Sequence, residues 1–238
     1  MYPKLLCIGS IGVVTETSDY QRRAYNQAMT ENGLDWNWTP ETYRELLKSC
    51  GGKDRLRLLA AATNHPLSEQ QILAIHARKT EIACQSIVKD KVTPRPGVVQ
   101  LIKAAKEAGT KVAWVTSTYP ENTTAVLEAS NGQLKRADFE HIFHRQDVEE
   151  GKPAADIYNA ALQHFAVAPN EVIAIEDTLV SILAAKKAGI FSISTLGAFH
   201  DDVLDNIADV VLPNLAHTDW TELVRVYQDS QAMMEVVY

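Results

Sequence analysis

Four side chains that could handle a phosphate or a metal follow or precede short apolar segments of the chain. Thr116 follows residues 112–115, and the pair Glu176 and Asp177 follows residues 172–175. Lys152, in Gly-Lys-Pro, is predicted to stand at the start of a helix upstream of that pair. A hydroxyl, an ammonium and two carboxylates at one sheet edge are typical of a phosphate and metal site. Individually, Thr116 or Asp177 could merely cap a helix, and Lys152 could be a solvated surface residue.

Six apolar segments predict the strands that carry these residues. They are typical of strands buried on both faces of a parallel sheet, and they cover residues 5–8, 112–115, 141–143, 172–175, 191–193 and 210–212. Helical patterns lie between them: one starts at Val98, one follows residues 118–120 with Thr118 as its cap, and others span 155–165 and 180–188. This alternation predicts a doubly wound, Rossmann-like parallel α/β sheet.

The stretch from residue 17 to residue 91 has helical patterns and no convincing strand. The patterns cover residues 19–32, 40–48, 53–62 and 68–88, with helix starts at Thr39-Pro40 and at the capping box that begins at Ser68. We therefore predict a discontinuous α/β core, residues 1–16 and 92–238, with an inserted all-helical cap domain, residues 17–91. The site should lie at the carboxyl ends of the strands and face the insert.

Net charge, apolar segments and cysteine spacing exclude several classes of function. The chain has 238 residues and a net charge of -7, which argues against nucleic acid or an anionic membrane as a partner. No apolar segment approaches the ~20 residues of a membrane helix, and the N-terminus lacks the pattern of a signal peptide. A cytoplasmic protein is expected. Cys7, Cys50 and Cys84 are too widely spaced to suggest zinc or a disulfide framework.

Several motifs together resemble the haloacid dehalogenase superfamily, in the branch with a helical cap after the first motif. They are Val-Thr-Ser at 115–117, Gly-Lys-Pro-Ala-Ala-Asp-Ile-Tyr at 151–158, Ile-Glu-Asp-Thr at 175–178 and Ala-Ala-Lys-Lys-Ala-Gly at 184–189. The resemblance extends over essentially the whole chain. It implies catalytic positions at Thr116 and Lys152, and Mg²⁺ ligands at Glu176 and Asp177.

Further segments are most similar to the CbbY-type sugar-phosphate phosphatases of that superfamily. They are residues 21–26, 51–55, 79–80 and 95–98. The resemblance implies that the Gly-Gly-Lys-x-Arg segment of the cap, with Gly51, Gly52, Lys53 and Arg55, faces the active site and holds substrate phosphate. Glycines let backbone amides approach an oxyanion, and Lys53 and Arg55 supply charge. Ser117 and Gln21 are implied as further substrate-binding residues.

The chain departs from the family at its first motif, Asp-x-Asp-Gly. Gly9 takes the position of the nucleophilic aspartate and Ile11 that of the acid-base aspartate, while Gln21 replaces a histidine and Ser18 a common glutamate. Gly9 has no side chain to attack phosphorus, and Ile11 cannot carry a proton. Magnesium relies on few carboxylates and loses one here, so Mg²⁺ is expected to bind weakly or not at all.

Neither neighbouring candidate replaces the nucleophile. Ser10 is expected to point to the opposite face from residue 9, and Glu16 lies too far along the chain, at the hinge of the cap. The retained Lys152, Glu176 and Asp177 sum to a formal charge near -1 without a metal. That value matches a metal-loaded relative, so a phosphate ligand meets no greater net repulsion.

Three hypotheses follow. The first is a pseudoenzyme that binds a phosphorylated small molecule or a protein partner. The second is a hydrolase that acts by water attack on a phosphate ester held by Lys152, Thr116 and Lys53. The third is a purely structural or interaction protein, with residues 36–38 (Trp-Asn-Trp) and the C-terminal residues 233–238 as possible contacts, although packing is the preferred interpretation of both.

Overall fold

A six-stranded, wholly parallel sheet forms the centre of the molecule. The computed structural model describes residues 2–48, 51–199 and 202–236. The strand order is β3-β2-β1-β4-β5-β6, so β1 lies between β2 and β4. The strands are β1 (Leu5–Ile8), β2 (Lys111–Val115), β3 (His141–Phe143), β4 (Val172–Glu176), β5 (Phe191–Thr195) and β6 (Val210–Leu212). The predicted Rossmann-like parallel sheet is confirmed.

Nine helices of the described chain surround this sheet or lie between β1 and β2. They are α1 (Ser18–Glu31), α2 (Pro40–Leu47), α3 (Gly52–Ala62), α4 (Glu69–Lys89), α5 (Val98–Glu107), α6 (Pro120–Ala129), α7 (Asp156–Phe165), α8 (Leu179–Lys187) and α9 (Trp220–Val236). The predicted starts of α2 and α4 are confirmed. Thr39 accepts a hydrogen bond from the Thr42 amide, and Ser68 forms a capping box with Gln71.

Alternation along the strands divides the core into two layers. Leu6 and Ile8 pack on one face of the sheet, among side chains of α5, α6 and α9. Leu5 and Cys7 pack on the other face, against α7 and α8. Because successive side chains of a strand point to opposite faces, four residues of β1 contribute to both layers. This burial on both faces explains why the strands read as continuous apolar runs.

Helices α1 to α4, called the helical insert below, share a third hydrophobic cluster. Trp38 is buried, and its ring lies 4.6 Å from that of Tyr25 and 5.9 Å from that of Tyr43. Trp36 packs against the same cluster and against His65. These tryptophans therefore pack within the insert. The other suggested contact, the side chains of residues 233–238, lies outside the described part of the chain.

Two local predictions were wrong. Thr118 does not cap α6: Tyr119 is the N-terminal cap residue, and the Thr118 hydroxyl pairs with that of Thr116. Lys152 does not stand at a helix start, because α7 begins four residues later, at Asp156.

No helix within residues 2–48, 51–199 and 202–236 is both long and apolar enough to cross a bilayer.

Candidate functional site

A cavity of about 150 Å³ lies between the carboxyl ends of the strands and the helical insert. The parallel sheet brings the residues after β1, β2 and β4 to one edge, and α1, α3 and α4 cover that edge. Predicted site residues from both sides line it: Ile11, Thr116, Ser117, Glu176 and Asp177 from the sheet edge, and Gln21, Gly51, Gly52 and Arg55 from the insert.

The space beside Gly9 is occupied by the carboxylate of Glu176. A Cβ atom at position 9 would lie 2.9 Å from the Glu176 carboxyl carbon and 3.1 Å from Val13 Cγ2. Real Cβ atoms do not tolerate the first of these separations, so a side chain at position 9 requires Glu176 to move. Because Gly9 has no side chain, the carboxylate of Glu176 can occupy this space.

Glu176 is held there by two buried partners. The Lys152 ammonium forms an ion pair with Oε1, and the Tyr158 hydroxyl donates to the same oxygen at 2.5 Å. Lys152 also donates to the Val115 carbonyl at 3.3 Å, and its Nζ lies 5.1 Å from the centre of the Tyr158 ring. Burial, together with the Glu176 charge, raises the pKa of Tyr158 well above its ordinary value, so the phenol remains a donor.

Asp177 adds a second carboxylate next to Glu176. Burial and the neighbouring charges of Glu176 and Glu16 raise the pKa of Asp177 well above its usual range. Its side chain packs closely against Gly12: a Cβ atom at position 12 would lie 3.0 Å from the Cβ atom of Asp177. Gly12 also has a φ of +76°. Both the left-handed backbone and this close approach require glycine at position 12.

Several donors at the sheet edge are free for a ligand. The amides of Ser10, Ile11 and Ser117 donate no hydrogen bond to the described residues. The Thr116 hydroxyl pairs with that of Thr118 at 2.9 Å and accepts from the Thr118 amide. Unpaired amides at the ends of parallel strands are well suited to an anion.

Ser10, whose side chain was expected to point away from residue 9, is among the residues that line the cavity. Strand β1 ends at Ile8, so the alternation of a strand does not extend to residue 10. Glu16 has both carboxylate oxygens engaged: they accept from the amides of Ser18 and Ala198. Glu16 thereby joins the start of α1 to the loop after β5.

The carboxylates present are poorly suited to a Mg²⁺ ion. Oε1 of Glu176 is already bound by an ammonium and a phenol. Position 9 offers no carboxylate, and among residues 2–48, 51–199 and 202–236 no group of three His, Cys, Asp or Glu residues could hold a metal. Magnesium is held by few carboxylates, so the missing ligand at position 9 and the engaged oxygen of Glu176 both weaken the site.

On the insert side, the Gly-Gly-Lys-x-Arg segment begins α3. Gly52 closely approaches Tyr25 and His76: a Cβ there would lie 3.1 Å from His76 Nε2. The Arg55 Nε donates to the Leu46 carbonyl at 2.9 Å, and its guanidinium lies 5.8 Å from the Tyr43 ring centre. Lys53 does not line this cavity. It lies with Lys152 on an adjoining cavity that shares the two glycines and Arg55.

Gln21 links the insert to the sheet edge. Its Nε2 donates to Asn122 Oδ1, on α6, at 3.2 Å, and its Oε1 is buried without a hydrogen-bond partner in the described structure. A buried acceptor left unpaired costs about 1–3 kcal/mol. A ligand hydroxyl in the cavity would satisfy it.

Lys79 and His76 of α4 are cavity residues to which the sequence reasoning gave no role. A signal was present: Ile72, Ile75, Lys79 and Ile82 fall on one stripe of α4, and all four are buried. A lysine in a buried stripe of a helix indicates a cavity behind it. Tyr158 was likewise missed, although it shares the buried face of α7 with Ile157 and Ala161.

A Rossmann-like parallel sheet with a helical insert over the carboxyl ends of its strands is typical of one class of hydrolases. The chain belongs to the haloacid dehalogenase-like hydrolase family, which matches residues 6–189. Protein CbbY of Cereibacter sphaeroides is 36% identical over 88% of this chain and 94% of its own length. Protein CbbY of Rhodobacter capsulatus is 32% identical over 90% and 94%.

Solved structures agree with this assignment. CbbY from Rhodobacter sphaeroides in complex with phosphate superimposes with a TM-score of 0.82 at 33% identity, covering 90% of this chain and 96% of its own. A variant of the same protein, in complex with xylulose-(1,5)bisphosphate, matches equally well. β-Phosphoglucomutase from Clostridium difficile also has a TM-score of 0.82 but is 18% identical, and it supports the fold alone.

Proposed function

We propose that this chain is a CbbY-like pseudoenzyme that binds a phosphorylated small molecule and does not catalyse metal-dependent phosphomonoester hydrolysis. The observation that carries the proposal is Glu176, which fills the space of a side chain at position 9. Covalent phosphoryl transfer needs an attacking carboxylate and a proton carrier. Gly9 and Ile11 supply neither.

Anion binding is supported by what remains at the sheet edge. The amides of Ser10, Ile11 and Ser117 have no acceptor within the described part of the chain, and the Thr116 hydroxyl lies on the same cavity. Arg55 brings a charge from the insert. The relatives in complex with phosphate and with xylulose-(1,5)bisphosphate suggest a sugar phosphate as the ligand.

The domain division belongs to this proposal. Residues 17–91 act as a cap over a core of residues 1–16 and 92–238, and the ligand lies between them. Gln21, Gly51, Gly52, Lys53 and Arg55 contact it from the cap. Thr116, Ser117 and Lys152 serve it from the core, and Glu176 and Asp177 form at most a weakened metal site.

The test is phosphate release from a panel of sugar mono- and bisphosphates, with and without magnesium. The wild type is expected to be silent, and Gly9→Asp combined with Ile11→Asp is expected to restore turnover because it returns the nucleophile and the acid-base. Gly9→Asn combined with Ile11→Asn is the matched control, which restores size without carboxylates.

Each other outcome changes the assignment. Turnover by the wild type that Lys152→Ala abolishes would replace the proposal by the hydrolase that works through water attack. A silent wild type whose melting temperature responds neither to inorganic phosphate nor to xylulose-1,5-bisphosphate would instead favour an interaction protein, since ligands of the native state raise that temperature.

A further inference from the structure

The insert side of the cavity contains a buried lysine that has no counter-ion among the described residues. Lys79 is 8% exposed and lines the cavity. Within the described structure its Nζ makes no hydrogen bond or ion pair, and its contact is the face of the Tyr25 ring, at 4.9 Å from the ring centre. An ammonium buried in this way lacks the partner that such groups ordinarily have.

The groups around Lys79 disfavour its charged form. Burial, and then the guanidinium of Arg55, lower the pKa of Lys79 to about 7, while the thiol of Cys84 acts weakly in the opposite direction. His76, on the preceding turn, is uncharged at neutral pH: burial and the charges of Lys79, Lys53 and Arg55 lower its pKa to about 3. At pH 7 about half of the Lys79 side chains are therefore free amine, next to a neutral imidazole.

Free amines in cationic, desolvated pockets are nucleophiles toward carbonyl carbon. We propose that Lys79 forms an imine with a phosphorylated aldehyde or ketone whose phosphate is held at the sheet edge. This inference rests on the proposed function and adds to it the reactive group of the ligand. The step needs neither a metal nor side chains at positions 9 and 11.

The bonds balance without a co-reactant. The amine lone pair attacks the carbonyl carbon, and the carbonyl electron pair moves to oxygen. A proton passes from nitrogen to that oxygen, giving a carbinolamine. The carbinolamine then loses its hydroxyl as water, with the second amine proton, as the carbon–nitrogen double bond forms. Hydrolysis reverses each step, so the capture is reversible.

The experiment traps this imine in the folded protein. The probes are glyceraldehyde 3-phosphate and dihydroxyacetone phosphate, with sodium borohydride as the trap, and the readout is intact mass followed by peptide mapping. Reduction should add the mass of the probe less one oxygen atom. Glycerol 3-phosphate, which has no carbonyl, controls for binding without reaction.

Two variants locate the adduct. Lys79→Arg keeps the charge but cannot form this imine, and it should abolish the adduct. Lys89→Arg changes an exposed lysine of the same helix and should leave the adduct intact. At neutral pH, Lys79 carries on the order of a thousand-fold more free amine than an exposed lysine, so labelling should concentrate on it.

Two results overturn the imine. One is the absence of an adduct at Lys79 with both carbonyl probes. The other is an adduct spread over exposed lysines that persists unchanged in Lys79→Arg. If inorganic phosphate still raises the melting temperature in either case, only the imine fails and phosphate binding stands. If phosphate has no effect either, the proposed function fails with it.

Discussion

At the scale of single residues, the absence of a side chain at Gly9 determines where the carboxylate of Glu176 can lie. Gly9 removes the atoms that would meet Glu176, and Glu176 then accepts from Lys152 and Tyr158. Three buried polar groups thereby pair with one another, through one oxygen of Glu176, without a metal. Paired buried polar groups cost far less than unpaired ones. A remnant of a catalytic site can therefore persist as a paired polar cluster.

Removing the Tyr158 hydroxyl tests this network. Tyr158→Phe should lower the free energy of unfolding by about 1–3 kcal/mol, because a buried carboxylate loses a donor. Tyr20→Phe is the matched control, since its hydroxyl donates to Asp90 on the surface at 3.1 Å. Tyr20→Phe should lower the free energy of unfolding by less than about 0.5 kcal/mol. Urea unfolding measures both, and equal losses would contradict the network.

At the scale of elements, α4 determines much of the cavity. It spans Glu69–Lys89, begins at a capping box and packs against α1, α3 and α6. One helix therefore joins the hydrophobic cluster of the insert to the sheet-edge side of the molecule. Its buried stripe carries Lys79 between Ile75 and Ile82, so the rigid helix holds the amine in place.

Because Lys79 interrupts this stripe, its charge should oppose folding. Its pKa falls from 10.5 in the unfolded chain to about 7 in the folded one. Between these values the unfolded chain binds more protons, so stability rises with pH. The penalty is complete below pH 7 and fades as pH rises toward 10.5.

Lys79→Met should therefore stabilise the ligand-free protein, and the gain in stability should be larger at pH 6 than at pH 9. Thermal unfolding at both pH values measures this gain. Lys89→Met, on the exposed face of the same helix, should show no such difference. A gain independent of pH would mean that Lys79 is not the group whose charge is penalised.

At the scale of the whole molecule, the order of the strands assembles the site. β1 lies between β2 and β4, so positions 9, 116 and 176, far apart in the chain, end at one edge. The insert then covers this edge, and Gln21 reaches across to Asn122. The charges divide likewise, with carboxylates at the sheet edge and Arg55 and Lys79 on the insert side.

The melting temperature of the protein reports whether it binds magnesium. Magnesium and EDTA should give the wild type the same melting temperature. Gly9→Asp combined with Ile11→Asp should be less stable in EDTA, because a new carboxylate crowds Glu176. Magnesium should recover it, by about 2.7 kcal/mol at a hundred times the dissociation constant. A metal-induced rise in the wild type would contradict the misfit argued from Glu176.

The sequence determined the fold class, because apolar runs, helical periods and the caps at Thr39 and Ser68 are local patterns. It also predicted which residues would surround the cavity from the sheet edge, since parallel strands end together. Positions of side chains outside regular elements were less predictable. Ser10 lies beyond the end of β1, and Lys152 lies in a loop ahead of α7.

Only the tertiary structure decided what the side chains do to one another. Glu176 occupies the space beside Gly9, Tyr158 donates to Glu176, and Lys79 is buried with no counter-ion among the residues that the structure describes. All three depend on contacts between distant segments. The spacing of Lys79 along α4 indicates that it lies on the buried stripe of the helix, but it does not give the groups that surround the ammonium. Only desolvation beside Arg55 lowers the pKa of this lysine far enough for the free amine to be populated at neutral pH.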